Sequence, residues 1–454
     1  VRSARKPRQF FILIVDIGIL FVSLYLALFV RYASPPSFAQ WRSLAQSFLI
    51  SWILWIIAFY TADLYNIDTS FDELGFAGRL FGAVAVGGLI SALIFYLDLS
   101  AKSPKTILAL YTGFLFVLLW IWRFGYGRIS RLYLPRRATA FVGVDATVLE
   151  IVTAIESNDH LGYEAVAFLD EEGRAPASFR HRPCRTRTAF VNAVKERGVS
   201  LVVVADEAQL SEKTRRALLD LIERPVRFIR LPDFYELYLR KIPIGTINDL
   251  WFLENIDLGA KWRYGIVKRV FDILVSLADF IVCIVPWILI ALAIKISNPG
   301  PVLFQQQRLG RGGRPFRILK FRTMRIERNN FAPTAKNDPR VTGLGRMLRK
   351  FRLDEIPQVV NILFGEMSFI GPRPERPELA IKLERSIPYY RQRLLVKPGI
   401  TGWDQVSGEY HSPSIEDTYK KLQYDLYYVK NMSLLLDISV FFKTIMTMLG
   451  RKGV

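Results

Sequence analysis

Four apolar runs crowd the first third of this chain: Phe10–Tyr32, Leu44–Tyr65, Phe76–Leu99 and Thr106–Phe124. Each supplies about the twenty residues a helix needs to cross the hydrocarbon core of a bilayer. Backbone amides cannot stay unpaired in hydrocarbon, so such runs fold as helices bonded within themselves. A four-helix transmembrane bundle over residues 1–137 is therefore expected, in keeping with a mean hydropathy of +0.22. Arg2, Arg5, Lys6 and Arg8 precede the first run, and no small-residue cleavage site follows it, which reads as an anchor rather than a removable signal. Arg123, Arg128, Arg131, Arg136 and Arg137 follow the fourth run, so both flanks are expected on the cytoplasmic side. Lys102 and Lys105 weaken that bias without reversing it. Asp16, inside the first run, reads as a helix–helix contact rather than an ion path.

A fifth apolar run, Ile273–Ile294, has basic residues on both sides and Pro286 near its middle. Proline removes a backbone donor and crowds the preceding turn. Flanks that are basic on both sides keep both ends cytoplasmic, which a re-entrant helix over residues 270–295, broken at Pro286, satisfies. A fifth crossing with a proline kink is the alternative.

The 454 residues carry a net charge of +20, which calls for an anionic partner. With so much apolar sequence, membrane lipids and phosphorylated substrates fit better than nucleic acid, and no nucleic-acid partner is expected. Two cysteines and three scattered histidines give neither a disulfide framework nor a zinc site. Oxygen-ligated hard cations are the remaining metal chemistry.

From Ala138 the pattern changes. TAFVGV and SLVVVAD are short, β-branched strands, and TVLEIVTAIESN and RTAFVNAVKERG are the helices between them. A degenerate Rossmann-like α/β domain over residues 138–260, ending in an aromatic-rich linker, is expected. Its first turn, VGVDATV, has one glycine where a dinucleotide fingerprint has three, so it reads as a scaffold or regulatory module.

Residues 261–454 hold the chemistry. NPGPVLFQQQRLGRGGRPFRILKFRTM reads as two strands about a Gly-rich turn, with Lys320 and Arg322 at the exit. Arginine forks onto phosphate oxygens and lysine supplies a compact charge. Arg340, Arg349 and Arg373 add further cations around the adjacent carboxylates Asp354 and Glu355. Phosphoryl transfer needs a nucleophile, charge neutralisation and usually Mg²⁺ on one or two carboxylates. Aspartate can itself attack. On spacing alone, Asp-Glu at a helix start equally serves to offset the helix dipole.

FRLDEIPQVVNILFGEMSFIGPRPE, with LKFRTM upstream and KPGITGW (Lys397–Trp403) downstream, closely resembles the bacterial sugar transferase family, the monotopic polyprenyl-phosphate phosphoglycosyl transferases. The likeness runs from about Lys268 to the C-terminus. The helical N-terminus, the Rossmann-like domain and HLGYEAVAFLD resemble the long members that start exopolysaccharide, capsule or O-antigen synthesis. The resemblance implies a multidomain membrane protein whose mainly α, monotopic catalytic domain carries the re-entrant helix. It makes Asp354 the nucleophile and Glu355, beside it, the Mg²⁺ ligand, with Asp354 as a second candidate ligand to the metal. Arg349 and Arg373 become phosphate contacts, with Lys320 and Arg322 as further substrate-site candidates. A UDP-sugar donor, an undecaprenyl phosphate acceptor, UMP release by a ping-pong route and a homodimer are implied. So is a catalytic domain on the cytoplasmic face of the bacterial inner membrane. A noncatalytic scaffold of a polysaccharide assembly complex is the competing reading; it would go with loss of the Asp-Glu pair, which this chain retains. His411, in the polar stretch Gly408–Lys421, reads as a solvated loop residue, and the apolar-aromatic C-terminus either as interfacial helices or as core packing.

Overall fold

The computed structural model describes residues 2–62, 64–65, 74–97, 105–133, 136–157, 162–175, 179, 181–205, 210–297, 299–325, 338–407 and 414–449; His411 lies outside them. The chain divides into two compact units, Val1–Leu239 and Arg240–Val454.

The first unit opens with α1 (Arg2–Tyr32), α2 (Phe38–Thr61), α3 (Leu74–Leu97) and α4 (Lys105–Tyr133). All four are long and apolar enough to cross a membrane. α2 starts earlier than its apolar run because Ser37 and Gln40 form a capping box. Phe48, Trp55, Phe59 and Tyr111 fill the bundle core, and Trp55 Nε1 donates to Ser91 Oγ at 2.8 Å. Asp16 is a helix–helix contact, as expected, but its partner is a surprise. Arg123, read as a basic flank, lies inside the bundle with its Nη2 2.5 Å from Asp16 Oδ2 and its Nη1 on the Leu64 carbonyl at 2.8 Å. α4 continues to Tyr133, which leaves Arg123 facing the bundle rather than ending the span. Both charges are fully buried. Asp16→Ala should therefore strip Arg123 of its counter-charge and cost roughly 3–5 kcal/mol, read as a lower midpoint of thermal unfolding in detergent. An unchanged midpoint would contradict a structural role for the pair.

The rest of the unit is α/β: β1 (Arg137–Val142), α5 (Ala146–Ser157), β2 (Tyr163–Leu169), α6 (Arg187–Glu196), β3 (Leu201–Val204), α7 (Glu212–Leu219), β4 (Arg227–Arg230) and α8 (Leu231–Leu239). The four strands are all parallel in the order β2-β1-β3-β4. Val202 and Val203 are buried on both faces, as a central parallel strand requires. The expected linker after β3 is instead the edge strand β4 and a core helix, with Phe234 and Tyr235 fully buried. At the first strand–helix turn, Asp145 Oδ1 accepts from Val148 N at 2.7 Å. A carboxylate thus takes the helix end where a phosphate would sit in a dinucleotide fold.

The second unit comprises α9 (Asp249–Asn255), α10 (Trp262–Ser297), β5 (Leu303–Leu309), β6 (Pro315–Phe321), α11 (Gly343–Lys350), α12 (Gln358–Phe364), β7 (Ser368–Ile370), α13 (Pro377–Ser386), β8 (Gly399–Thr401), α14 (Ile415–Asn431) and α15 (Leu434–Leu449). The segment placed with the middle domain, residues 240–260, belongs to this unit: Ile242, Ile244 and Trp251 share a core with α13 and α14. β5 and β6 form the expected hairpin, pairing Leu303 with Phe321 through Leu309 with Pro315. α14 is a core helix, with Leu422, Leu426, Tyr428 and Val429 buried, which settles the C-terminal alternative for that helix in favour of packing.

α10 is one helix of 36 residues with Pro286 inside it. Proline's own φ is helical, so the chain continues at the loss of the bond to the Val282 carbonyl. Both ends of α10 are tied to the same unit. Lys268 Nζ lies 2.7 Å from Asp437 Oδ2, and Arg269 donates to the Ile362 and Leu363 carbonyls at the end of α12. Asp272 accepts from Ser368 Oγ at 3.0 Å. Further along, Ile294 packs with Phe321 and Leu348. Between them Leu277, Ile281, Val282, Val285 and Leu289 are exposed.

Candidate active site

α11 ends at Lys350, and the chain reverses through Arg352, whose φ of 54° is left-handed. A 3-10 turn, Leu353–Glu355, follows, and α12 starts after Pro357. The Asp-Glu pair therefore sits in a tight connector between two helices, not at a helix start. With three residues per turn, neighbouring side chains on it point about 120° apart.

That divergence separates the two acids. Glu355 Oε1 is 2.6 Å from Lys320 Nζ and 3.4 Å from Arg373 Nη2, in a setting where Glu355 is only 12% exposed. Although burial opposes it, Arg373 and then Lys320 hold the Glu355 carboxyl down at about 2. Asp354 makes no hydrogen bond or ion pair with another described side chain. Burial, and then the neighbouring Glu355 charge, push its carboxyl above the usual 3.8. Lys320 is pulled below the ordinary lysine range by burial, against the attraction of Glu355. One acid is thus fixed and neutralised while the other is poised and uncommitted.

The cations come from three directions. β6 delivers Lys320; the turn after β7 delivers Arg373, half-exposed. α11 delivers Arg349, whose Nε donates to Thr323 Oγ1 at 2.9 Å and whose charge reaches Asp354. Gly345 makes that placement possible. A Cβ there would fall 2.0 Å from the Thr323 carbonyl oxygen, so only glycine lets α11 lie against the β6 exit. Arg349 is one helical turn further along the same face.

Two sequence candidates are placed elsewhere. Arg322 is buried and donates to the Pro299 carbonyl at 3.2 Å. Arg340 is clasped by Asp338, with Nε on Oδ1 at 2.9 Å and Nη2 on Oδ2 at 2.5 Å. Arg322 follows the end of β6, where its own N–H still donates to the Val302 carbonyl at 2.9 Å while its side chain is held by the Pro299 carbonyl.

Among the described residues no three His, Cys, Asp or Glu side chains converge on a metal-sized space. The donors at hand are oxygen-only. Lys320 and Arg373 both contact Oε1 of Glu355, which leaves Oε2 as an available ligand. One carboxylate completed by substrate oxygens and water is a set that suits Mg²⁺.

Residues 263–451 match the bacterial sugar transferase family and residues 60–232 a CoA-binding domain. The chain is 30% identical over 328 residues to UDP-glucose:undecaprenyl-phosphate glucose-1-phosphate transferase of Escherichia coli K12, covering 71% of this chain and 70% of that protein. It belongs to the bacterial sugar transferase family. The family member undecaprenyl-phosphate galactose phosphotransferase of Salmonella typhimurium is 31% identical over 349 residues, 72% of this chain and 71% of its own. UDP-N-acetylgalactosamine-undecaprenyl-phosphate N-acetylgalactosaminephosphotransferase of Aeromonas hydrophila is 44% identical over 192 residues, 42% of this chain and 45% of its own length. The chain therefore spans under half of that relative and about 70% of the other two. Asp354, Glu355, Arg349, Arg373 and Lys320 all fall inside the sugar transferase match.

Proposed function

We propose that this chain transfers a sugar-1-phosphate from a UDP-sugar to undecaprenyl phosphate, or another polyprenyl phosphate, through a covalent intermediate on Asp354. What supports the reading is the division within the acid pair: Glu355 neutralised by Lys320 and Arg373, and Asp354 beside it uncommitted. In the first step an Asp354 oxygen attacks the sugar-bearing phosphorus. The diphosphate bridge breaks, and UMP leaves with the bonding electron pair. In the second, a lipid phosphate oxygen attacks the same phosphorus, the acyl phosphate bond breaks, and Asp354 returns as a carboxylate. The product is a polyprenyl diphosphate sugar, the first intermediate of an exopolysaccharide, capsule or O-antigen. Arg349 and Arg373 suit bidentate contact with the donor phosphates. Glu355, through Oε2, would hold Mg²⁺, whose contribution when bound is neutralisation of phosphate charge. The three relatives' names carry three different sugars, so the donor is proposed as a UDP-hexose or a UDP-N-acetylhexosamine.

The acceptor's phosphate stays at the lipid boundary, and α10 fits a site at that level. Both its ends are fixed to one polar unit while its middle is exposed and apolar, which supports a re-entrant placement with both ends on one face. We assign that face to the cytoplasmic side of the bacterial inner membrane, following the basic flanks.

Purified protein given UDP-sugars without acceptor should release about one UMP per site and stop; added lipid phosphate should make release continuous. EDTA should halt it and Mg²⁺ restore it. Product formation with no acceptor-independent UMP would reject the two-step route, and full activity in chelator would remove the metal. No UMP with any donor would favour the scaffold reading.

A further inference from the structure

The Arg373 turn poses a backbone problem. Its sequence, Gly371-Pro-Arg-Pro-Glu-Arg-Pro377, has prolines at three positions, each without an N–H. The segment cannot bond to itself as a helix or a ladder strand, so its carbonyls need outside donors. Four in a row find them. The Pro372 carbonyl accepts from Gly399 N at 3.0 Å, and the Glu375 carbonyl from Leu309 N at 3.0 Å. Between these, the Arg373 carbonyl accepts from Arg393 Nη2 at 3.0 Å and the Pro374 carbonyl from Arg308 Nη1 at 3.0 Å.

Both guanidinium groups are anchored at their far sides. Arg393 is buried, with Nη1 on Tyr390 Oη at 2.7 Å and Nη2 2.8 Å from Asp425 Oδ2. Arg308 donates through Nη2 to Gln306 Oε1 at 2.8 Å and lies 3.7 Å from Glu375 Oε2. Two cations are thus withdrawn from water to fix two peptide oxygens, where ordinary satisfaction would need only one N–H each. Rigid planar forks do this with little loss of freedom per bond.

We propose that Arg308 and Arg393 are positioning residues that clamp the 372–375 backbone so that the Arg373 guanidinium stays directed at Glu355 and the donor phosphates. The assignment of Arg373 to donor phosphates rests on the function proposed above; the clamp itself rests on the four carbonyl bonds. Neither arginine makes a hydrogen bond or ion pair with the acid pair; what each holds is the backbone that carries Arg373. Lysine at either position keeps the charge beside Asp425 or Glu375 but loses the fork.

Three measurements on Arg308→Lys and Arg393→Lys, made separately in the full-length protein, test this. Amide exchange of a peptide covering 368–380 should quicken about tenfold in each variant, with α14 unchanged. KM for the UDP-sugar in UMP release should rise about tenfold, with kcat changed less. In an Arg373→Ala background neither lysine should add anything further, because the group being positioned is gone. Unchanged exchange in both variants overturns the clamp, whatever the enzyme's activity. Faster exchange with unchanged KM, or effects that multiply in the Arg373→Ala background, overturns the positioning role. A wild-type protein that releases no UMP from any donor rejects the proposed function and with it the link to donor phosphates. The exchange data would still decide the clamp.

Discussion

Asp354→Asn should abolish turnover, including acceptor-independent UMP release, by at least about a thousandfold. The amide is nearly isosteric, so the connector between α11 and α12 keeps its shape. What disappears is the only acid of the pair that no cation has claimed. Because UMP release precedes the acceptor, its loss separates a missing nucleophile from a damaged lipid site. The pH dependence carries the same claim. Asp354 must be ionised to attack, and burial, with Glu355 beside it, raises its carboxyl above 3.8. Falling pH should therefore extinguish UMP release through an acid limb above that value, while Glu355, held down at about 2, stays charged throughout. Normal UMP release by the Asn variant would remove Asp354 from the chemistry.

Gly345→Ala, a single methyl group outside the acid pair, should lower kcat/KM about a hundredfold or more. The new Cβ would sit 2.0 Å from the Thr323 carbonyl oxygen, a backbone atom that cannot swing aside. Either α11 or the β6 exit must shift by an ångström or so, and with it Arg349 relative to Asp354. A displacement of that size is enough to cost two orders of magnitude in a positioned site. Gly343→Ala, two residues away with no atom within 4 Å of its Cβ, is the matched control and should retain activity. Equal activity in the two variants would mean that α11's close approach does not position Arg349.

Much of this was written locally in the sequence. Four spans announced themselves by length and hydropathy, β3 by its run of valines, and the β5–β6 hairpin by Gly310, Gly312 and Gly313 between alternating strands. Glu355 and Asp354 were found as a pair, and Lys320 and Arg373 were named as its cations. What escaped depends on distant partners. Arg123 ends an apolar run exactly as a flank would, and only Asp16, 107 residues away, reveals it as buried. Arg308 and Arg393 are two among 61 lysines and arginines, and nothing nearby marks them as carbonyl donors. The contacts of Arg322 and Arg340 were hidden for the same reason: a cation's partner is set by what folds against it, here the Pro299 carbonyl and Asp338.

The most direct measurement is intact-protein and peptide mass spectrometry of enzyme quenched with isotopically labelled UDP-sugar before any acceptor lipid is added. A phosphosugar increment on the peptide holding position 354, discharged when polyprenyl phosphate is supplied, is the outcome required. Lipid product accumulating with no such adduct at any time would show that donor and acceptor react directly, and the central assignment would fall.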